Sequence, residues 1–236
     1  MAVMAKAPVA GFAKTRLCPP LHPAEAAALS AAFLRDITEN IALAARSASI
    51  HGAIAYAPAG GETAFTGHLA AGTSLLLADG SPPMPPEVKG FGRSLLHAAQ
   101  ALFALDFCAA CLVNSDSPTL PTEVLIRAAN ALLLPGKRVV LGPAEDGGYY
   151  LLGMQRPYAH LFADIAWSTS GVAEATRMRA AALGLEIVTL PRWYDVDDAA
   201  SLTRVMRHEA GAYGAPATRA CLERIGFGKP RCAVAS

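Results

Sequence analysis

The chain has 236 residues, 53% of them hydrophobic, with 20 basic and 19 acidic residues and a formal net charge of +1. That length suits one domain with a sizeable core, and the near-neutral balance argues against nucleic acid or a membrane surface as a partner. No run approaches the roughly 20 consecutive apolar residues of a membrane span.

The chain opens with a short buried strand over residues 1–5, followed by a loop holding Pro8, Gly11, Pro19 and Pro20. These first residues lack the apolar core of a signal peptide, so a cytoplasmic location is expected. Residues 23–46 form a long helical pattern, with Leu29, Phe33, Ile37, Ile41 and Ala44 at helical spacing. A strand over 51–57, a short helix over 62–70 and a strand over 73–78 follow. Pro82, Pro83, Pro85, Pro86, Gly90 and Gly92 mark a surface loop over 80–92. A helix over 94–105 leads to a fully apolar, hence central, strand over 109–113. Next come a helix over 121–134, strands over 138–142 and 149–153, a helix over 170–183, a strand over 185–190 and a helix over 198–208. The tail from 211 reads as an extension with one helix, 218–225, beyond a domain spanning 1–210.

Strands separated by helices of this length predict an α/β domain with a mainly parallel sheet covered on both faces. Ligands of such sheets bind beyond the carboxyl ends of the strands. Five cysteines, an odd number, argue against a disulfide framework. Cys108 and Cys111 sit in an apolar run, three apart, and read as buried structural thiols.

Four segments carry candidate chemistry. The first, Lys6-Ala7-Pro8-Val9-Ala10-Gly11-Phe12-Ala13-Lys14-Thr15-Arg16-Leu17, puts three cations and a glycine in one loop after a buried strand. Lys14 offers a point charge to phosphate, Arg16 a two-pronged fork, and Gly11 a backbone able to come close. The bland alternative is a solvated basic loop. The second, Asn114-Ser115-Asp116-Ser117-Pro118, ends the central strand in an acid. Asp116 either helps hold a divalent metal or, with Ser117, caps the next helix.

The third, Gly142-Pro143-Ala144-Glu145-Asp146-Gly147-Gly148-Tyr149-Tyr150, reads either as a hairpin-like turn or as a place where Asp146 meets an acceptor hydroxyl. In the fourth, Tyr194-Asp195-Val196-Asp197-Asp198, alternation puts Asp195 and Asp197 on one side of an extended chain. With Asp116 they are expected to form one metal site, while Asp197 or Asp198 is also a natural helix cap. Trp167-Ser168-Thr169-Ser170 reads as a capped helix start or as part of an acceptor pocket. The six histidines show no metal-ligand spacing.

In order and spacing these segments resemble a family of small glycosyltransferase-A-like proteins. It includes the arsenosugar biosynthesis glycosyltransferases and transferases associated with radical-SAM and selenium genes, and is similar to the 2-phospholactate and molybdenum-cofactor guanylyltransferases. The likeness runs over residues 3–202 and rests on the Lys6–Leu17 segment, Ser115-Asp116-Ser117-Pro118, the Gly142–Tyr150 segment and Asp195-Val196-Asp197. It implies a three-layer, Rossmann-like nucleotide-diphospho-sugar transferase fold with a mixed, mostly parallel sheet. It also implies donor binding by Lys6, Gly11, Lys14, Arg16 and Ser115, and Mg²⁺ or Mn²⁺ on Asp116 and Asp197, with Asp195 beside them. Asp116 and Asp146 would be catalytic, with Gly147 and Gly148 facing the acceptor. Lys89-Gly90-Phe91-Gly92-Arg93 departs from the acidic segment usual there.

The expected activity is metal-dependent glycosyl transfer from a nucleotide-diphosphate sugar to a small-molecule acceptor. The alternatives are nucleotidyl transfer from a nucleoside triphosphate to a phosphorylated small molecule, and nucleotide binding without catalysis.

Overall fold

The computed structural model describes residues 1–207 and 209–228. Seven strands, β1 Ala2–Lys6, β2 Ala53–Ala57, β3 Ser74–Leu77, β4 Ala110–Val113, β5 Arg138–Pro143, β6 Tyr149–Met154 and β7 Glu186–Thr189, form one sheet. Among the described residues six helices accompany them: α1 Pro23–Ala44, α2 Phe91–Ala104, α3 Thr122–Leu133, α4 Val172–Ala182, α5 Ala199–Met206 and α6 Pro216–Arg224. The strand order is β3-β2-β1-β4-β6-β5-β7. Only β6 runs against the rest, pairing antiparallel with both β4 and β5. The sheet is therefore mixed and mostly parallel.

Alternation along the strands divides the apolar residues between two cores. Val3, Ile54, Cys111 and Val113 face one layer, where they meet Phe33 and Ile37 of α1, Leu125 of α3 and Leu222 of α6. Ala2, Ala53, Ala110 and Leu112 face the other, against Leu95 and Leu102 of α2 and Ala180 of α4. The result is three layers, helix–sheet–helix. No helix of the described residues is long and apolar enough to cross a membrane.

The buried face of α1 also carries polar groups that hydrophobic periodicity does not reveal. Asn40 donates from Nδ2 to the Leu120 carbonyl at 2.7 Å and accepts the Thr122 hydroxyl at 2.6 Å. The Asp36 carboxylate accepts the backbone N–H groups of Ala217 and Thr218, at 3.0 and 2.7 Å, at the start of α6. These free donors of the first helical turn need an acceptor, and Asp36 ties α6 onto α1. The helix expected over 218–225 is α6, displaced toward the N-terminus.

Other boundaries move for local reasons. The helix expected over 62–70 shortens to a single 3-10 turn, Glu62–Phe65, ahead of Gly67 and Gly72, which adopt φ of 77° and 79°. Helix α2 starts at Phe91, three residues earlier than expected, directly after Gly90 at φ 53°. The helix expected over 170–183 begins at Val172 and has no side-chain cap, so the Trp167–Ser170 segment is not its capped start. Residue 208, at the expected end of α5, and Cys232 in the tail lie outside the described residues.

One thiol expectation is corrected. Cys111 is buried in β4, and burial pushes its thiol up to about 11. Cys108 is exposed. The strand begins only at Ala110, so Cys108 belongs to the connection ahead of it and not to the core.

Candidate active site

The carboxyl ends of β1 and β4 are neighbours in the sheet, and the loops leaving them build a cavity of about 490 Å³. Lys6, Lys14, Arg16, Ser115, Asp116 and Asp197 all line it. Lys6 ends β1, and Arg16 sits in a 3-10 turn, Thr15–Leu17; both are exposed. Lys14 is different. It takes a left-handed backbone conformation, φ 49°, and its side chain is only 9% exposed. Its ammonium lies 2.8 Å from Asp116 Oδ1 and 3.3 Å from Asp197 Oδ1, and donates to the Val196 carbonyl at 2.7 Å. The Phe33 ring lies beneath the ammonium, 5.0 Å from Nζ to its centroid. A lysine with three protein oxygens around it is not part of a solvated basic loop.

Asp116 and Asp197 thus converge on one cation although they come from distant parts of the chain. Asp116 does not cap α3: the N-cap position is taken by Pro121, whose side chain has no acceptor to offer. Asp198 does act as a cap: its Oδ1 accepts the Ser201 N–H at 2.7 Å, in a capping box at the start of α5.

Asp195 does not join the pair on Lys14, and this corrects the expected triad. Its Oδ1 accepts from Asn114 Nδ2 at 2.6 Å and from the Ser117 hydroxyl at 2.7 Å. The intervening Val196 N–H donates to the Asp116 carbonyl at 2.8 Å, which fixes the segment beside the end of β4. Among the described residues no group of three or more His, Cys, Asp or Glu is placed to hold a metal ion.

Burial pushes the Asp195 carboxyl up to about 6, the Asp116 and Asp146 charges add to this, and the hydrogen bonds from Ser117 and Asn114 oppose it. In the unfolded chain the same group titrates near 3.8. Between these values the folded protein holds a proton that the unfolded chain has released. Stability from this group is therefore present below pH 4 and lost as pH rises through about 6. Asp195→Asn keeps an acceptor for both donors and removes the charge. In chelator-treated buffer it is expected to raise stability at pH 8 by on the order of 2 kcal/mol, with little effect near pH 4. Thermal melts at both pH values check this; a shift of the same size at each would exclude a titration origin.

A second cavity, of about 380 Å³, adjoins the first and shares Asp197 with it. Its walls include Glu145, Asp146, Asp195, Asp198 and Arg204. Asp195 and Asp197 do share this wall, as alternation predicts. Asp146 sits in the turn of the β5–β6 hairpin, where its Oδ1 also accepts the Gly148 N–H at 2.8 Å. Arg204 binds both oxygens of Glu145, at 3.0 and 2.9 Å, and its guanidinium covers the Tyr194 ring at 3.8 Å. This joins α5 to the hairpin.

Three expected contacts are not made by the cavities. Gly11, at φ 81°, lines neither, and a Cβ there would meet nothing within 4 Å; its glycine serves the turn. Gly147 and Gly148 line neither cavity. Gly147 faces protein, where a Cβ would fall 2.1 Å from the Ser170 carbonyl oxygen. Sequence reasoning also missed Asn114, Phe12, Phe91 and Arg204. Arg93, part of the departing segment, acts as a clip: its guanidinium donates to the Gly80 carbonyl at 3.0 and 2.7 Å and to that of Pro82 at 3.0 Å.

A mixed sheet of this order, with its cavity at the ends of β1 and β4, makes this a nucleotide-diphospho-sugar transferase fold. The crystal structure of a candidate nucleotide-diphospho-sugar transferase from Desulfovibrio desulfuricans G20 matches it with a TM-score of 0.77 and 26% identity, over 95% of this chain and 94% of that one. CMP:2-keto-3-deoxy-manno-octonic acid synthetase, in a complex with CTP, matches with a TM-score of 0.52 and 12% identity, over 86% of this chain and 95% of that one; the likeness is one of fold. The chain belongs to the family described as "Uncharacterized protein conserved in bacteria (DUF2064)", whose model matches residues 40–169. No curated protein matches the chain.

Proposed function

We propose that the protein is a nucleotide-dependent transferase, and specifically a metal-dependent glycosyltransferase that moves a sugar from a nucleotide-diphosphate donor to a small-molecule acceptor. The observation that carries this reading is the convergence of Lys14, Asp116 and Asp197 in a cavity at the strand ends. The likeness to the Desulfovibrio protein and the sequence resemblance to small sugar transferases support it.

In this reading Lys6 and Arg16, exposed on the cavity wall, take the donor's phosphate oxygens. Lys14 leaves the carboxylates and joins them. The oxygens around its ammonium, from Asp116, Asp197 and Val196, lie within 3.3 Å of one point and are hard ligands of the kind Mg²⁺ or Mn²⁺ takes. Asp116 and Asp197 would hold that ion, with phosphate oxygens and water completing its shell. When bound, it offsets the charge that develops on the leaving diphosphate. Asp146, in the adjoining cavity, would accept the proton of the acceptor hydroxyl. The acceptor oxygen then bonds to the anomeric carbon as that carbon's bond to the diphosphate oxygen breaks.

Nucleotidyl transfer is the second reading, since the fold also occurs in CMP:2-keto-3-deoxy-manno-octonic acid synthetase. The second cavity argues against its phosphorylated acceptor. Of its five carboxylates, Glu145 is paired with Arg204 and Asp197 with Lys14, which among the described residues leaves Asp146, Asp195 and Asp198 with no cation facing them there. Another anion would meet repulsion there, whereas a neutral polyol or an amine would not.

The test offers sugar nucleotides and nucleoside triphosphates, each with Mg²⁺ or Mn²⁺ and a panel of small hydroxyl and amine compounds, and follows phosphorus species by NMR. Release of nucleoside diphosphate from a sugar nucleotide is the expected result. Release of pyrophosphate would establish nucleotidyl transfer, and saturable binding without turnover would establish a binding module.

A further inference from the structure

The first cavity has two chemically distinct ends. Strand β1 lies at its middle, β4 on one side and β2 on the other. The β4 side carries Asn114 and Asp116, with Lys14 over them. The side formed by β2, the end of β3 and the start of α2 contributes Ala55, Ala57, Ala78, Phe91, Ser94 and Leu95. Of these only Ser94 carries a hydrogen-bonding side chain. Two phenyl rings line the same cavity while remaining open to water, Phe12 at 75% and Phe91 at 50% exposure. Phe91 is also held in place. Trp167 packs perpendicular to it, with ring centroids 5.7 Å apart, and is itself anchored by an Nε1 hydrogen bond of 3.0 Å to the Lys89 carbonyl. The missing side chain at Gly92 makes room for that indole, since a Cβ would fall 2.9 Å from Trp167 Cζ2.

A nucleotide has the same division, with charge at one end and a flat aromatic ring at the other. Small residues along the wall leave space for a ring, and an anchored phenyl group offers it a face at little ordering cost. We infer that Phe91, with Phe12 from the loop after β1, stacks on the donor's nucleobase, so that the base is recognised by its face more than by its edge. The inference rests on the donor reading above and adds the residues that grip the base. It also implies modest discrimination among bases, because every base has a face on which to stack.

The experiment compares UDP, ADP and inorganic pyrophosphate by calorimetry at constant Mg²⁺, for the wild type, Phe12→Ala, Phe91→Ala and Phe91→Leu. Phe91→Leu keeps apolar volume at the start of α2 and guards against loss of folding. Both Phe91 variants are expected to weaken UDP and ADP by about tenfold, with Phe12→Ala acting in the same direction and pyrophosphate affinity unchanged in all three. Unchanged nucleotide affinity in the Phe91 variants would overturn the inference, as would an equal loss for pyrophosphate. If the wild type binds pyrophosphate and gains nothing from a base, the stack fails while the phosphate site stands. If the wild type binds none of the three, the donor reading fails and the stack with it.

Discussion

Lys14→Met is expected to weaken nucleoside diphosphate binding by about tenfold or more, and to tighten Mn²⁺ binding to the nucleotide-free protein. Opposite effects on two ligands follow from one arrangement. The three N–H groups of the ammonium face Asp116, Asp197 and the Val196 carbonyl. Without nucleotide, Lys14 therefore stands where a divalent ion would stand, and the two cations compete for the same carboxylates. Methionine keeps the length of the stem over Phe33 but removes the competing charge. It also removes a donor that, in the proposed reading, moves onto the phosphates. Asp116 and Asp197 retain 35% and 40% side-chain exposure, so solvent can screen them and the variant should fold. Titration of Mn²⁺ followed by electron paramagnetic resonance, and of UDP by calorimetry, reads both effects. In the wild type, metal and nucleotide should each tighten the other by the same factor, as linkage requires. Asp197→Asn should abolish that enhancement, and Asp195→Asn should largely preserve it, because Asp195 is not on Lys14. Mn²⁺ affinity unchanged by Lys14→Met would mean that the metal binds elsewhere or not at all.

Much of this architecture was legible because it depends on short-range pattern. Leu29, Phe33, Ile37 and Ile41 mark one face of α1, and each lies in the core. The apolar run of β4 indicated a central strand, and it lies between β1 and β6. The loop after β1 and the acids near 116 and 197 stood out because charge at the end of a buried strand needs a reason. What stayed hidden depends on distance in sequence. Nothing local says that Lys14 will meet Val196 and Asp197, 182 and 183 residues away. Alternation put Asp195 beside Asp197 but could not show that Asn114 and Ser117 would claim its carboxylate. Phe12 and Phe91 carried no signal either. An isolated phenylalanine reads as core until the fold exposes it. The start of helix α6 fell two residues before the expected one, and its anchor, Asp36, lies on the buried face of another helix where local pattern could not show it.

Gly147→Ala is expected to destabilise the protein by about 3 kcal/mol, lowering its melting temperature by roughly 6–12 °C. The resemblance to small sugar transferases implied that Gly147 and Gly148 both face the acceptor. The structure separates them. Gly147 sits at φ 92°, outside the comfortable range of alanine. A Cβ there would lie 2.1 Å from the Ser170 carbonyl oxygen and 2.7 Å from its carbonyl carbon and Cα, all backbone atoms that cannot swing aside. The Gly147 carbonyl also accepts the Ala173 N–H at 3.0 Å, so the hairpin and the first turn of α4 are joined at the point of collision. To admit a methyl group, either this hydrogen bond must open or the hairpin turn bearing Asp146 must shift. Gly148 is the internal control. A Cβ there would first meet Asp146 Oδ1, at 3.1 Å, the far end of a side chain that can rotate at the expense of one hydrogen bond. Gly148→Ala should therefore cost less than about 1 kcal/mol. Its main effect should be on the orientation of Asp146, because the Gly148 N–H holds that carboxylate. Thermal and urea unfolding of the two variants, side by side, distinguishes fold from function. A large loss of stability confined to Gly147→Ala fits a glycine required by backbone packing. If instead Gly147→Ala melts like the wild type and loses only turnover, the close approach to Ser170 does not constrain the fold, and Gly147 faces the acceptor after all.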